Sequence, residues 1–375
     1  MASAHGPKEL HSQKADGWSD WRWQLRHAVC SVEQLESRLD LSQPERLGAQ
    51  RALAGGFPLA VTPYYLALCD RTDPGCPIRL QCVPRIDEAN AMAGDLEDPL
   101  GERAHEVAPN LIQRYPDRAL LLATDRCAVY CRFCTRSRMV GGGGGTRSLA
   151  KLAPAFAYLR AHPEIQDVIV SGGDPLVMSS SRLAELLDQL AAIDSVLFVR
   201  MATRTPVTLP QRVTPRLCQS LRRHPATWIM THFNHPRELT AEAREACAML
   251  CDHGLPVMNQ TVLLRGVNDD APTLAALFRG LVRSRVRPYY LLQMDPVRGS
   301  GHLRTPLARG IEIMSELQGR LSGIALPKLI VDTPGGRGKV PVGPEYIVAR
   351  APGRTTLRTP RGELVDYLDP AALAV

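Results

Sequence analysis

Residues 119–134 read ALLLATDRCAVYCRFC, an apolar run that leads into a loop carrying Cys127, Cys131 and Cys134. The opening ALLLAT has the composition of a strand. Six further runs of this kind follow: DVIVS (167–171), VLFVRMA (196–202), TWIMTH (227–232), VMNQTVLL (257–264), PYYLLQM (288–294) and KLIVD (328–332). Amphipathic helices are predicted between them. One carries Leu183, Leu186, Leu187 and Leu190 on one face. Another carries Leu274, Leu277, Phe278, Leu281 and Val282, with Asp269 or Asp270 as its cap. Strands alternating with helices imply β-α-β crossovers and a parallel sheet. The expected fold class is therefore α/β, a partial (β/α)6-type TIM barrel. Barrels place their chemistry in the loops after the C-terminal ends of strands, and the cysteine loop falls there.

Three thiolates within eight residues can face one cluster if the chain wraps around it. Iron–sulfur clusters take Cys thiolates, and a four-iron cluster normally takes four. Three local ligands leave one iron open to a small molecule, with Tyr130 and Phe133 shielding the cluster from water. Two other readings stand beside this one: three ordinary cysteines, or a zinc site. Structural zinc wants four ligands, and the spacing of Cys69, Cys76 and Cys82 fits no zinc template.

The rest of the chain bounds the function. Its 375 residues include ten cysteines and carry a formal charge of +7. The arginines are scattered with no dense basic block, so no nucleic-acid partner is expected. Neither a run of about 18 apolar residues nor an N-terminal apolar h-region occurs, so no membrane span and a cytoplasmic location are expected. Residues 1–110 read as a mainly helical N-terminal extension, with Ser31 and Gln34 as a capping box and Trp18, Trp21 and Trp23 as packing anchors. The stretch DRTDPGCPIRLQCVP (70–84) reads as loop. Gly141–Gly145 reads as a flexible surface connector. The barrel is expected over 111–345 and a short C-terminal tail over 346–375.

Near the end stands VDTPGGRGKVPV (331–342). A phosphate-binding loop fails here, because Thr333 replaces the first Gly and Val340 the final hydroxyl. Lys339 is then either a surface lysine in a turn or one whose amine forms a Schiff base with pyridoxal phosphate.

These motifs carry a family resemblance. C-x3-C-x2-C after the first barrel strand, with SGGDP (171–175) after the second, resembles the radical S-adenosylmethionine superfamily. The stretches WSDWRWQLRH, TPYYLAL, DLEDPL, RYPDRALLLATDRCAVYCRFCTRSR, VSGGDPL, TRTPVTLPQRVTP, THFNHPREL, NQTVLLRGVND, VRPYY, HLRTP and VDTPGGRGKVPV resemble, in that order, the lysine 2,3-aminomutase family. The resemblance implies an isomerase that interconverts L-lysine and L-β-lysine. It also implies a 4Fe-4S cluster, S-adenosylmethionine and pyridoxal 5'-phosphate as cofactors. Cys127, Cys131 and Cys134 would hold the cluster. Ser171, Gly172, Gly173, Asp174, His232 and Gln260 match positions at the S-adenosylmethionine. Lys339 matches the Schiff-base lysine, and Arg114, Tyr115 and Arg118 match the region holding pyridoxal phosphate. Arg136 matches the partner of the substrate carboxylate. Asp295 and Asp332 match the pair that binds the distal amino group of lysine.

The resemblance further implies an amino acid substrate, a flavodoxin- or ferredoxin-type reductant and a homo-oligomer. Structural zinc is expected to be absent, because Asp270 stands where relatives have a Cys after GVND and the chain ends without their cysteine cluster. Leu292 stands where many relatives have Tyr. Two alternatives remain in the sequence: an aminomutase for another amino acid such as arginine, and the lysine aminomutase associated with elongation factor P. A non-catalytic metal-binding or nucleic-acid-binding protein is the rival from another class.

Overall fold

A computed structural model describes residues 16–54 and 56–370. The reading of the N-terminus over 1–15 lies outside them. Five short helices come first: α1 (Trp21–Arg26), α2 (Val32–Glu36), α3 (Gln43–Leu53), α4 (Pro63–Leu66) and α5 (Arg79–Cys82). The Ser31–Gln34 capping box forms at the start of α2. The tryptophans pack at the margin of the core, Trp18 directly against it. Gln24 is the buried residue of α1, while Trp23 stacks on His27 at 4.2 Å and Trp21 lies under the Arg212 guanidinium at 4.6 Å. Aromatic rings with a polar edge settle at the boundary of a core rather than inside it. Part of the expected loop 70–84 is helical, because α5 presents Arg79 to buried partners. Arg79 donates to Glu45 through Nε (2.6 Å) and Nη2 (2.7 Å), and the pair is sealed from solvent.

The barrel follows. An antiparallel hairpin, β1 (Glu106–Ala108) and β2 (Leu111–Tyr115), precedes β3 (Arg118–Thr124). Then come α6 (Leu149–Ala161), β4 (Asp167–Gly172), α7 (Ser180–Ala191), β5 (Phe198–Ala202), α8 (Thr205–Thr208), α9 (Pro215–Leu221), β6 (Thr227–Thr231), α10 (Ala241–Asp252), β7 (Val257–Leu263), α11 (Ala271–Arg283), β8 (Arg287–Gln293), α12 (Leu307–Leu317) and β9 (Lys328–Asp332). Strands β3 to β9 are parallel and neighbour one another in sequence order. All seven expected strands form, and six of them lead into a crossover helix. The helical faces fall as the spacing requires. Leu183, Leu186, Leu187 and Leu190 are the buried residues of α7. Leu274, Leu277, Phe278 and Leu281 are buried on α11, and Val282 lies at the margin.

Two features were hidden in the sequence. β10 (Lys339–Val342) pairs antiparallel with β9, so Lys339 opens a strand and faces Asp332 in register. Residues expected as a tail fold as a three-stranded antiparallel sheet of β11 (Ile347–Ala351), β12 (Arg354–Arg358) and β13 (Leu364–Leu368). These strands are short and largely exposed, so they lack the apolar runs that mark buried parallel strands. No helix among the described residues is long and apolar enough to cross a membrane.

Asp270 has a concrete local role: its carboxylate caps α11 by accepting from Thr273 N at 2.7 Å. Asp270→Ala is expected to lower unfolding stability by about 1 kcal/mol, the usual loss of an N-cap. A urea titration of purified protein checks it.

Candidate active site

One cavity, about 340 Å³, opens at the C-terminal end of the parallel strands and runs down into the barrel. That volume suits small molecules rather than a polymer. Cys127, Cys131, Cys134, Arg136, Ser171, Gly172, Gly173, Asp174, His232, Gln260, Asp295, Asp332, Lys339, Arg114, Tyr115 and Arg118 all line it, with Leu292 in its wall. Residues up to 225 positions apart in the chain thus share one space.

The cysteine loop follows β3 and is clasped by the glycine motif after β4. Gly173 N donates to Thr124 O (2.6 Å) and Asp174 N to Arg126 O (2.8 Å). Gly172 holds φ +115°, and a Cβ there would stand 2.2 Å from Thr124 O, so only glycine fits. Asp174 does not extend its carboxylate freely into the cavity. It accepts from Thr203 Oγ1 (2.6 Å), Arg204 N (2.8 Å) and Leu176 N (3.0 Å). The Gly141–Gly145 run is also pinned rather than free. Gly145 N donates to Asp125 Oδ1 (2.7 Å) and Gly141 N to Asp125 O (3.0 Å), closing the loop on itself.

The three thiols face the same space. Burial pushes all three upward, Cys134 to about 11, and Cys127 and Cys134 are raised further by neighbouring cysteines. Burial thus favours the protonated thiols in the absence of a bound metal. Among the described residues no three His, Cys, Asp or Glu side chains close on a single ion. Phe133 lines the cavity and lies 5.5 Å from the His232 ring. Tyr130 packs against Phe57, at 5.9 Å, behind the cavity lining. His232 Nε2 is buried without a partner. Burial and then the Arg204 charge push this imidazole down to about 3, so it is neutral and presents an uncommitted nitrogen to a ligand.

The charged groups form two sets. In the first, Asp332 is flanked by Arg114, with two contacts at 3.3 Å, and by the Lys339 ammonium. Lys339 N donates to the Tyr115 hydroxyl at 2.8 Å. The Arg114 and Arg118 guanidiniums lie 5.9 and 4.6 Å from the Tyr115 ring centroid, and Arg118 pairs with Asp117. In the second, Arg136 donates from Nε to Glu102 (2.8 Å) and from Nη1 to Ser171 Oγ (3.2 Å). Its Nη2 has no partner among the described residues. The Asp295 carboxyl likewise makes no hydrogen bond or ion pair there. Burial and then the Asp332 charge push it up to about 7.

Sequence reasoning missed Arg204. It is buried and donates to Cys131 Sγ (2.8 Å), Tyr65 Oη (2.8 Å), Gln81 Oε1 (2.5 Å) and Glu238 Oε1 (2.7 Å). Its signal was its place two residues past a barrel strand, in the stretch TRTPVTLPQRVTP. Arg204→Met leaves Glu238 as an uncompensated buried charge. The expected loss of stability is about 3–5 kcal/mol, read by urea denaturation; an unchanged midpoint would show that the pair is not structural.

Comparison with known proteins places this geometry. Residues 121–278 match the Radical SAM superfamily, and residues 314–374 match the family described as Lysine-2,3-aminomutase. The L-lysine 2,3-aminomutase of Fusobacterium nucleatum is 46% identical over 94% of this chain and 83% of its own length. That of Clostridium subterminale is 44% identical over 96% of this chain and 87% of its own length. A Glutamate 2,3-aminomutase of Clostridioides difficile is 38% identical over 96% and 85%. The chain belongs to the lysine 2,3-aminomutase family of the radical SAM superfamily.

Proposed function

We propose that this chain interconverts L-lysine and L-β-lysine, moving the α-amino nitrogen to C3. One observation carries the reading. Two opposite and uncommitted polar edges, Arg136 Nη2 and the Asp295 carboxyl, face the cavity that holds the cysteine loop and Lys339. An α-carboxylate complements the first and a distal ammonium the second. A substrate with a side-chain carboxylate would instead meet Asp295, which repels it once ionised.

Cys127, Cys131 and Cys134 would hold a 4Fe-4S cluster. Ser171, Gly172, Gly173, Asp174, His232 and Gln260 would hold S-adenosylmethionine, with the free His232 Nε2 as a hydrogen-bond site. Asp174, with its carboxylate occupied, would act through the position of the glycine backbone. Lys339, Arg114, Tyr115 and Arg118 would hold pyridoxal phosphate, the arginines suiting a phosphate dianion. When bound, the first two groups supply a carbon-centred radical that takes hydrogen, and the third supplies a carbon–nitrogen π bond that lets nitrogen migrate.

The protein's own residues position and shield. Lys339 must lose a proton before its nitrogen can bond to a carbonyl, and Asp332 Oδ2 is in contact with Nζ to receive it. Asp332 already faces two cations, so it takes part in binding a substrate ammonium only once Lys339 is engaged elsewhere. Asp295 is the available receptor. An external donor of flavodoxin or ferredoxin type supplies the electron in this reading, which also holds that the chain is a cytoplasmic homo-oligomer.

Iron- and sulfide-loaded protein, incubated anaerobically with S-adenosylmethionine, pyridoxal phosphate, reductant and a panel of amino acids, should convert L-lysine to β-lysine. Turnover of arginine alone would overturn the reading. A pH dependence follows as well. Below about pH 7 Asp295 is neutral. A cationic side chain favours its ionised form, so lysine binding releases a proton. KM for lysine should fall by up to about tenfold per unit as pH rises toward 7, then level off. Asp295→Asn should raise KM and remove the inflection; an identical profile in wild type and variant would exclude Asp295 as the ammonium receptor.

A further inference from the structure

Residues 95–105 form a strap that contacts Arg114, Arg136 and the segments next to Asp295 and Lys339. Leu96 N donates to Pro296 O (2.8 Å) and Arg298 N to Leu96 O (3.0 Å), beside Asp295. Gly335 N donates to Pro99 O (3.0 Å), in the turn that leads to Lys339. Arg114 Nη1 donates to Leu100 O at 3.2 Å. The strap then delivers Glu102, whose side chain is 2% exposed, between Arg136 and Arg138.

We propose that Glu102 is the positioning residue for Arg136, and that the strap thereby sets how strictly the site demands a carboxylate on its substrate. The proposal rests on the reading of Arg136 as the carboxylate's partner.

The geometry supports it in three ways. Glu102 takes Arg136 at Nε (2.8 Å), and Ser171 Oγ takes Nη1 (3.2 Å), so two sides of the planar guanidinium are fixed and the Nη2 edge is left for the cavity. A planar fork discriminates a carboxylate only when its plane is held. Next, the carboxylate stays charged in a buried place. Burial pushes it up, but Arg136 and Arg138 pull it further down, below its ordinary value. Last, Glu102 also engages Arg138 Nη2 at 2.9 Å, and Asp98 stands 3.5 Å from the same nitrogen. Arg138 is thereby satisfied within the strap and does not compete for the substrate.

The test compares L-lysine with 1,5-diaminopentane, which is lysine without its carboxylate. Titration calorimetry on the full-length, cofactor-loaded protein without reductant gives both dissociation constants in the absence of turnover. Wild type should prefer lysine strongly. Glu102→Gln should weaken lysine at least tenfold and leave the diamine unchanged, so the ratio collapses. Glu102→Asp keeps the charge but withdraws it by one methylene; it should give an intermediate ratio, and it carries the test if the Gln variant does not fold. A parallel loss for both ligands, or no loss for either, overturns the proposal. Arg136→Lys separates the two ideas. If that variant retains the wild-type ratio, the reading of Arg136 itself fails. If it collapses the ratio and neither Glu102 variant does, Glu102 alone is refuted.

Discussion

The constraint that organises this molecule is charge balance in a place where water is scarce. The barrel mouth gathers Arg114, Arg136, Arg138 and Lys339 with Asp98, Glu102, Asp295 and Asp332. Desolvating such groups is costly unless each meets an opposite charge or a hydrogen bond. Most of them do, within the protein. What remains uncommitted is one edge of a guanidinium and one carboxyl held near neutrality. That residual pattern is the negative image of an amino acid with a cationic side chain, and it explains why the pairs cannot be shuffled without changing what the cavity accepts.

The strand–helix rhythm was legible because a parallel strand buried on both faces must be apolar throughout, and a crossover helix must be apolar on one side. ALLLAT, DVIVS and KLIVD follow from the first requirement, Leu183 to Leu190 from the second. The cysteine triplet was legible because all its members lie in one loop. What stayed hidden depends on pairing at a distance. Arg204 meets Tyr65, Gln81 and Glu238, at separations of 139, 123 and 34 residues. Nothing in the stretch Thr203-Arg204-Thr205 after β5 announces such partners. The sequence around Lys339 reads as a turn rather than a strand, since KVPV is short, half exposed and contains a proline. The pairing of Lys339 with Asp332 turns a seven-residue spacing in sequence into a direct contact across two strands.

The N-terminal region does more than cover one side of the barrel. It braces the cysteine loop from outside. Tyr130 N donates to Ala60 O (2.9 Å), Arg132 N to Gln81 O (3.0 Å), and Arg132 Nε to Glu88 (2.8 Å). The loop itself makes few regular backbone bonds, so its shape depends on these external partners. A loop that must present three sulfurs and still leave room for a ligand cannot be stabilised by filling its own centre. Rigid neighbours supply the order instead, as sites held on fixed elements generally require.

The same reasoning accounts for the inside of the barrel. In a closed eight-stranded barrel, layers of branched side chains fill the interior. Here seven parallel strands are flanked by the antiparallel β2 and β10, and Leu120, Ile169, Arg200, Gln260 and Tyr290 line a cavity where a packed layer would otherwise sit. The apolar burial forgone within is recovered without, where α6, α7, α10, α11 and α12 press apolar faces against the strands. Stability therefore resides in the outer layer, and the lumen is released to carry charge. Arg200 shows the limit of that freedom: it projects into the lumen, yet Asp167 holds its Nε at 2.9 Å. A cation in this space is tolerated only with its counter-charge fixed beside it, which is the rule that Glu102 and Asp332 obey at the mouth.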